Sequence, residues 1–383
     1  MNSPISIDVL SGLAEVSSAD WNRGVDVSDP FTDHAFLALL EESGCVGPEA
    51  GWVPVHLLAR SGSEVVGRAP LYLKNNSYGE YIFDWGWAES AHRAGLPYYP
   101  KLVSAVPFTP ATGRRLLAEH SSIRAALVEG MLSVMEATRA HSLHVLFALQ
   151  EERRELEGHA ALLGRSTHQF HWHNDGYESF DHWLSMLRSR HRKTARRERR
   201  APDDCGVRVE RWRGESLTEE RWRALHGLYL DTIDRKYAHP YLTPAFFELA
   251  PHRVAHSALV FAALQGEDLV AAALCFQRGQ HLYGRYWGCR PGFKSLHFEL
   301  CYHAPIACCI DEGWTHFEAG AQGIHKLKRG LRPAMTHSLH HLRDTRLHHA
   351  VARALREENA RTDWEIAELN KASPFRAESD GPS

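Results

Sequence analysis

The clearest pattern in the chain is an apolar strand pattern that occurs twice. Residues 62–73 and residues 266–276 each begin with glycine, carry an acidic residue two positions later and continue as an apolar segment with an aromatic residue at or near its end. A tyrosine-rich segment that also predicts a strand follows each of them, at 78–85 and at 283–288. Two similar folding units in one chain imply a cleft between them, which is where we expect a ligand site.

The spacing of apolar positions in the first half predicts helices on either side of a hairpin. Ile123, Leu127, Met131 and Met135 recur at helical spacing, whereas proline, tyrosine and glycine make 88–113 irregular. The predicted elements are a helix at 31–43, strands at 52–58 and 64–73, a helix at 121–139, a strand at 144–149 and a short helix at 151–159.

The second half predicts helices that surround a three-stranded antiparallel meander. The predicted helices are at 179–200, 219–235, 244–250, 296–312 and 347–369, and the predicted strands are at 207–211, 258–264, 270–278, 281–288, 315–319 and 337–343. This order is typical of an α/β chain with a largely antiparallel sheet. No GxGxxG motif follows a strand and no GxxxxGK[ST] motif occurs, so the nucleotide-binding folds that use these loops are not indicated.

The composition fits a globular chain of two domains. The protein has 383 residues, of which 44% are hydrophobic and 24% are charged. Its net charge of −3 does not favour general nucleic-acid binding, and no run of 18 apolar residues predicts a membrane span. The first residues lack the pattern of a secretory signal and the seven cysteines form no CxxC pair, so we expect reduced thiols and a cytoplasmic protein.

Three stretches of the sequence carry a family resemblance. A basic helix at 187–200 is followed by Gly206 and Val207, a tyrosine-rich strand lies at 282–288, and a strand with its following loop lies at 317–326. Together these stretches resemble the FemAB group of aminoacyl transferases, which consist of two tandem GNAT-like units.

Shorter strings point to a narrower part of the same group. The segments 98–110, 169–174 and 320–323 are similar to FemAB-like proteins described as predicted N-acyltransferases. The resemblance implies an α/β (α+β) fold of two tandem GNAT-like domains with mixed, largely antiparallel sheets. We expect the N-terminal domain at 1–168, the C-terminal domain at 169–370 and a disordered tail at 371–383.

The activity that the resemblance implies is N-acyl transfer. An amine would attack an acyl or aminoacyl donor directly in the cleft between the two units and form an amide. The donor is an aminoacyl-tRNA or an acyl-CoA used as co-substrate, and no tightly bound cofactor is expected. The acceptor is a cell-wall (peptidoglycan) precursor or a small amine of natural-product biosynthesis; the oligomeric state stays open. The alternatives are a degenerate transferase that only binds its ligand and an RNA-binding accessory protein.

Acyl transfer to an amine requires a group that holds the oxyanion and a base that frees the amine. By resemblance, Lys326 matches the lysine that FemAB-like transferases place beside the tetrahedral intermediate, and Lys328 is the alternative. Glu318 is a candidate general base whose pKa we expect burial to raise. A structural role is open for each: the lysines in a solvated loop, and Glu318 as the partner of Lys326 or Arg285.

The basic helix and the start of the 296–312 helix are the candidate donor-binding elements. Arg188, Arg192, Arg196 and Arg200 recur every four residues and form a stripe suited to phosphate groups, unless acidic neighbours such as Asp203 pair with it. The CoA-binding loop of GNAT enzymes is missing before 296, which favours another donor slightly. The predicted donor contacts are Arg192, Lys193, Arg196, His297 and Glu299.

Aromatic loops that carry a few charges are the candidate substrate-binding elements, because such loops commonly bind ligands. Packing between aromatic rings is the alternative interpretation. The predicted substrate contacts are Asp84, Trp85, Tyr98, Lys101, Phe108, Arg285, Tyr286, Gln322 and His325.

Two histidine motifs have the spacing of zinc ligands, His171-x-His173 and His337-x-x-His340-His341. Neither belongs to an HExxH pattern or has a cysteine partner at ligand spacing. The sequence therefore predicts no metal site.

Overall fold

The computed structural model describes residues 4–24, 29–235, 239–321 and 323–376. The strands are β1 (Ile5–Leu10), β2 (Val53–Pro54), β3 (His56–Ser61), β4 (Glu64–Ala69), β5 (Tyr72–Lys74), β6 (Lys101–Ser104), β7 (Leu117–Ala118), β8 (Ser142–Ala148), β9 (Leu163–His173), β10 (Arg208–Arg213), β11 (Ala258–Gln265), β12 (Asp268–Arg278), β13 (His281–Cys289), β14 (His316–Glu318) and β15 (Arg332–Leu342). The helices are α1 (Ser18–Asn22), α2 (His34–Glu42), α3 (Trp85–Arg93), α4 (Ser121–Ala137), α5 (Gln150–Leu156), α6 (Phe180–Met186), α7 (Ser189–Arg199), α8 (Ala201–Cys205), α9 (Glu219–Arg235), α10 (Pro244–Arg253), α11 (Ala304–Asp311) and α12 (Thr345–Lys371).

Packing divides the chain into two units. Among the described residues, the first unit comprises the chain up to His168 together with 335–364, and the second comprises 169–334 with the residues from Glu365 onward. The strands β9 and β15 and the helix α12 cross the division. The predicted C-terminal domain therefore includes a segment, 335–364, that packs with the first unit.

The assignment of that segment follows from its contacts. Residues 337–342 of β15 pair antiparallel with β8. The first part of α12 contributes Leu347, Val351 and Leu355 to an apolar cluster with Ala91 and Tyr98. The sequence could not indicate that 335–364 packs with the first unit. The pattern of apolar residues in β15 predicts a buried strand but does not identify the strand with which it pairs.

The first unit contains two runs of strands. One has the order β1-β3-β4-β7 and is antiparallel, and the other has the order β15-β8-β6-β5-β2 with a parallel pair between β8 and β6. The apolar side of α4 covers them, and Leu127 and Met131 are fully buried beside Leu57 and Leu143. This burial explains the helical spacing of its apolar residues.

The predicted tyrosine-rich strand at 78–85 does not form. Gly79 and Tyr81 have positive φ values of 79° and 61°, which a strand cannot accommodate, and α3 begins at Trp85. The side chains of Glu80 and Asp84 turn into the protein and pair with Lys101. The predicted irregular region, 88–113, is likewise wrong in part, because most of α3 and all of β6 lie within it.

The second unit is built on the predicted meander. Strands β10, β11, β12 and β13 pair antiparallel in sequence order, β14 joins β13 in parallel, and β9 joins β14 antiparallel. Trp172, Phe261, Leu282 and Phe317 form the centre of its core. The sheet is therefore mixed and largely antiparallel.

The predicted helix at 179–200 is two helices, α6 and α7. Leu187 leaves the helical conformation and is fully buried, and the backbone N–H of Arg188 donates to the carbonyl of Pro374 at 2.8 Å. Phe375 bridges to Leu187. The first part of the predicted disordered tail, 371–376, is therefore ordered, and 377–383 lie outside the described residues.

The predicted helix at 296–312 begins with a π-helical turn, Glu299–His303, before α11. Pro305 has no N–H with which to close an ordinary α-helical turn, so the chain widens just ahead of it. Such turns often lie at functional sites. Here the turn carries Cys301 and Tyr302 toward the cavity described below.

None of the helices in the described part of the chain is both long and apolar enough to cross a membrane. The seven cysteines are free thiols.

Candidate active site

The site in the second unit starts where two parallel strands separate. His281, Leu282 and Tyr283 of β13 pair with β14, and the ladder ends at the pair Tyr283–Glu318. Beyond this point β13 continues to Cys289, whereas β14 ends and the chain turns at Gly320, whose φ of 79° suits glycine. Beyond the pair Tyr283–Glu318, the edge of β13 that paired with β14 therefore faces a gap.

A cavity of about 120 Å³ lies in this gap. The β-bulge between Leu274 and Cys275 widens it on the β12 side. The lining residues are Ala273, Leu274, Cys275, Gly284, Arg285, Tyr286, Trp287, His297, Cys301, Tyr302, Ala319 and Gly320. The cavity thus combines backbone edges, aromatic rings and a few polar side chains, which is the usual make-up of a small ligand site.

Lys326 contacts Gly320, one of the residues that line this cavity. Its Nζ donates a hydrogen bond of 2.5 Å to the carbonyl oxygen of Gly320, and the residue is only 2% exposed. Burial lowers the pKa of the ammonium to about 8, and the negative charge of Glu318 offsets part of this effect. Lys326 is therefore still mostly protonated at pH 7. Lys328, the alternative, is exposed.

A buried ion pair holds the segment that carries Lys326. Arg329 donates from Nη2 to Glu198 Oε1 at 2.6 Å and from Nε to Glu198 Oε2 at 3.0 Å. His303 Nε2 lies 2.8 Å from the same Glu198 Oε2, and the guanidinium of Arg329 stacks on Phe298, 3.4 Å from the ring centroid. These contacts join the short helical segment 324–329 to α7 and to the π-helical turn.

We expect Glu198→Gln to lower the free energy of unfolding by about 1–3 kcal/mol at pH 7, because a charged acceptor is lost beside a buried guanidinium. Burial raises the pKa of Glu198, but the hydrogen bonds from His303 and Arg329 outweigh it, so the net pKa is below the usual 4.5. A carboxylate with a depressed pKa stabilises the fold above its unfolded pKa and loses that effect as the pH falls. The difference between variant and wild type should therefore shrink below about pH 4.5.

Denaturant titrations from pH 3.5 to 7.5 measure this difference, with Glu215→Gln as the control at an exposed position of the same unit. A Glu198→Gln difference that stayed constant over this range would contradict the assignment.

Glu318 differs from the expectation in the direction of its pKa. Burial raises the pKa, but His171, His316 and His281 outweigh it, so the net pKa is lowered. Its Oε2 lies 3.8 Å from His171 Nε2 and its Oε1 lies 3.6 Å from His316 Nε2. The expected raised pKa is therefore wrong, and the general-base role of Glu318 stays a prediction that a lowered pKa does not favour.

The structure brings several other predicted residues to the cavity. Arg285, Tyr286 and His297 line it. His325 Nε2 lies 2.9 Å from the hydroxyl of Tyr302, and its ring packs against Gly323, where an added Cβ would come within 2.4 Å of the ring. Gln322, a predicted substrate contact, lies outside the described residues.

Tyr302 and Cys301 are among the lining residues that sequence reasoning missed. Burial raises the pKa of the Cys301 thiol well above its usual value, so this group stays a thiol and not a nucleophilic thiolate. The pair Tyr302–His325 places a hydroxyl and a ring nitrogen beside the cavity. In the sequence, the one signal for the turn that positions them is Pro305, which lies just after it.

Of the predicted donor contacts, only His297 lines the cavity. Glu299 is buried and accepts from Arg199 Nη1 at 2.7 Å; burial raises its pKa to about 7, and Arg199 opposes this shift. Arg192 donates to the carbonyls of Ser185 and Leu187. Lys193 and Arg196 are exposed.

The basic helix α7 presents its charges to solvent. Its buried side consists of His191, Ala195 and Glu198. The exposed basic residues of the helix and its C-cap are Arg190, Lys193, Arg196, Arg197 and Arg200. Glu210 of β10, another acidic residue near this part of the sequence, pairs with Arg208 and Arg221.

In the first unit, three predicted substrate contacts meet in a buried network. Lys101 Nζ donates to Asp84 at 2.6 Å, to Glu80 at 2.8 Å and to Ser77 at 2.7 Å, and Tyr98 donates to Asp84 at 2.6 Å. These bonds use all three N–H donors of the ammonium. The geometry therefore favours internal structure over ligand binding at this network.

The surroundings of the network are charged and buried as well. Lys74 Nζ lies 3.8 Å from Glu80 and 3.5 Å from the centroid of the Trp52 ring. Burial lowers the pKa of Lys74 to about 7 and raises that of Glu80 to about 7. His144 lies 3.8 Å from Asp84 and its Nδ1 lies 2.8 Å from Nδ1 of His340.

The two remaining predicted contacts lie outside this network. Phe108 is buried against Trp52 with ring centroids 5.6 Å apart. Trp85 is 42% exposed and contacts Tyr78 edge to face.

Comparison with known proteins gives one family and several similar folds. A model of the FemAB-like family, described as peptidoglycan biosynthesis/recognition, matches residues 12–377. No curated protein matches the chain by sequence.

Three solved structures illustrate the similar folds. FemX is 12% identical with a TM-score of 0.54, over 88% of this chain and 98% of its own. The C-terminal domain of a putative lysylphosphatidylglycerol synthetase from Agrobacterium fabrum is 9% identical with a TM-score of 0.52, over 90% and 96%. A conserved protein of unknown function from Bacteroides thetaiotaomicron is 10% identical with a TM-score of 0.51, over 88% and 99%. At such identities the likeness shows the fold alone. The predicted α/β fold with mixed, largely antiparallel sheets is confirmed.

Proposed function

The chain belongs to the FemAB-like family, and on this premise we propose that it is an N-acyltransferase whose reaction takes place at the cavity beside Lys326. The family supports an acyl- or aminoacyltransferase role in peptidoglycan-related biosynthesis. The acceptor in this proposal is an amine, either of a cell-wall precursor or of a small molecule, and the product is an amide.

One observation carries the proposal: the Lys326 ammonium lies at the point where β13 and β14 separate. It is nearly excluded from water and mostly protonated at neutral pH. One of its three N–H donors is used by the carbonyl of Gly320, which fixes the ammonium; among the described residues this leaves two donors for a ligand. A fixed cation in a dry site stabilises a developing negative charge far better than one in water.

The reaction needs no covalent enzyme intermediate. The neutral acceptor amine attacks the acyl carbonyl, and the carbonyl oxygen takes up negative charge beside Lys326. The new C–N bond forms as the bond from carbon to the leaving sulfur or oxygen breaks, and the amine loses one proton. His325 and Tyr302 are the candidate carriers of that proton, because they lie beside the cavity within hydrogen-bonding distance of each other.

Both donor classes fit the charges near the cavity. The carboxylate of Glu299 would repel phosphate if it were unpaired, but Arg199 compensates it. His297 at the cavity wall and the exposed arginines of α7 are groups that can contact phosphates of a CoA or of a tRNA. The proposal therefore keeps an acyl thioester and an aminoacyl-tRNA as alternatives.

The second candidate function is ligand binding without turnover, in a transferase that keeps its cavity. This function requires the same cavity and the same ligand contacts, but no stabilisation of an oxyanion by Lys326. The two are separated by incubating the purified protein with acetyl-CoA, or with a pool of charged tRNAs, together with candidate amines. Mass spectrometry that finds a new amide supports the transferase, whereas binding of donor and amine without any amide supports the binding module.

If α7 contacts tRNA, the double variant Arg196→Ala/Arg200→Ala should weaken binding of unfractionated tRNA. Each lost phosphate contact reduces the slope of log K against log salt concentration by about 0.7–0.9. The control is Arg353→Ala/Arg356→Ala, which removes the same charge from exposed positions of α12. Filter binding from 50 to 200 mM salt measures the slope, and equal slopes for the two double variants would rule out α7 as the tRNA contact.

A further inference from the structure

Four histidines lie together on one part of the sheet in the second unit. His171 and His173 alternate on β9 and therefore point to the same face. His316 of β14 is directly opposite His173, and His281 of β13 is directly opposite His316. Their register places three rings in one row across three neighbouring strands.

The ring nitrogens of three of these histidines approach each other closely. Nδ1 of His316 lies 3.2 Å from Nδ1 of His173. One ring nitrogen from each of His171, His173 and His316 can be chosen so that all three lie within 4.8 Å of one another. In a tetrahedral zinc site with bonds of about 2.0–2.1 Å, neighbouring ligand atoms are about 3.3 Å apart. The pair His173–His316 already has this spacing, and the ligand atom of His171 lies within 4.8 Å of both.

Glu318 supplies the supporting contact that such sites usually have. Its Oε1 faces His316 Nε2 at 3.6 Å, on the side of the ring away from His173. A metal-binding histidine typically donates its second N–H to a carboxylate, which fixes the ring and leaves the other nitrogen free for the metal. The other oxygen of Glu318, Oε2, is buried and accepts no hydrogen bond from the described residues. A buried carboxylate with unused acceptor capacity is costly unless a positive charge is near.

From this geometry we propose that His171, His173 and His316 bind a divalent transition metal, with Zn²⁺ as the representative ion and Glu318 as the positioning carboxylate. Imidazole nitrogen suits Zn²⁺, Cu²⁺ and Ni²⁺ better than Ca²⁺ or Mg²⁺. His173 is exposed, so the ion has a route from solvent.

The proposal differs from the sequence prediction of no metal site for a topological reason. The third ligand, His316, is 143 residues from His173 and reaches it only because β14 and β9 pair. The other motif comes apart on folding, because His340 points to the opposite face of β15 from His337 and His341.

The test is a metal titration of the untagged protein, stripped with a chelator and kept fully folded. Zn²⁺ in competition with a chromophoric chelator should show one tight equivalent, and Co²⁺ should give a visible spectrum without a thiolate charge-transfer band. His173→Ala and His316→Ala should each weaken the tight equivalent at least tenfold, and Glu318→Gln should weaken it about 10–100-fold. The control His252→Ala, at an exposed position of the same unit, should bind like the wild type.

Several outcomes would overturn the proposal. The first is that the wild type binds no tight equivalent of Zn²⁺. The second is a thiolate charge-transfer band with Co²⁺, and the third is tight binding that persists in both histidine variants. A loss that His252→Ala shows equally would also overturn it, since it would indicate diffuse binding by the many histidines. If His316→Ala does not fold, the Zn²⁺ titration of His173→Ala still tests the proposal, because His173 is exposed and its substitution disturbs no buried packing.

Discussion

Replacing Lys326 with methionine should lower kcat about 10²–10³-fold while KM for the donor changes little. The substitution keeps the length and apolar body of the side chain but removes the charge that faces the developing oxyanion, and loss of one such donor typically has an effect of this size. Because Lys326 is 2% exposed, methionine also fits its environment, so the fold should persist. Steady-state kinetics with the donor found by mass spectrometry measure the effect.

The matched control for this prediction is Lys328→Met, two residues away and exposed. It should retain more than half of the wild-type kcat. Equal losses in the two variants would assign the effect to the loop as a whole, and a fully active Lys326→Met would remove the ammonium from the mechanism.

The pH dependence gives an independent reading of the same group. Burial brings the pKa of Lys326 to about 8, so its protonated fraction falls as the pH rises through that value. The acceptor amine must be neutral, so its reactive fraction rises over the same range. The wild type should therefore show a bell-shaped profile of kcat whose alkaline limb lies near pH 8, and Lys326→Met should lack that limb.

Replacing Lys101 with methionine should lower the free energy of unfolding by about 3–5 kcal/mol. The substitution leaves Asp84 and Glu80 buried without the ammonium that binds both, and an unpaired buried charge is more costly than the absence of the whole pair. The pKa of Asp84 is depressed despite its burial, first through Lys101 and then through His144, which indicates how strongly the cation acts. Equilibrium denaturation at pH 7 measures the change.

Two further variants make this prediction specific. Arg93→Met removes a cation from an exposed ion pair of the same unit and should cost less than about 1 kcal/mol. Glu80→Gln combined with Lys101→Met should recover part of the lost free energy of unfolding, because it removes one of the two buried carboxylates that Lys101→Met leaves without their ammonium partner. A Lys101→Met variant as stable as Arg93→Met would show that the network adds nothing.

The sequence predicted those parts of the fold in which local pattern and tertiary packing agree. The meander at 258–288 and the helix at 219–235 have their predicted positions, because their apolar periodicity is also the periodicity of their burial. The segment 78–85 failed because its aromatic residues suggested a strand while Glu80 and Asp84 serve Lys101, which comes later in the chain. No local pattern contains that pairing.

Some residues of the candidate site could likewise be predicted from the sequence and others could not. Lys326 could be chosen from the sequence because a family resemblance pointed to it, and the structure puts it at a cavity. Tyr302 could not be chosen, since its position depends on a π-helical turn ahead of Pro305. The expected pKa of Glu318 was wrong because burial alone was considered, and the histidines that reverse the shift come from β9, β13 and β14.

The most direct test of the account is a crystal structure of the protein with a non-reactive analogue of its acyl donor. We expect the acyl carbonyl oxygen within about 3.2 Å of Lys326 Nζ, in the gap where β13 and β14 separate. A carbonyl bound elsewhere, with Lys326 still hydrogen-bonded to Gly320 and remote from the ligand, would contradict it.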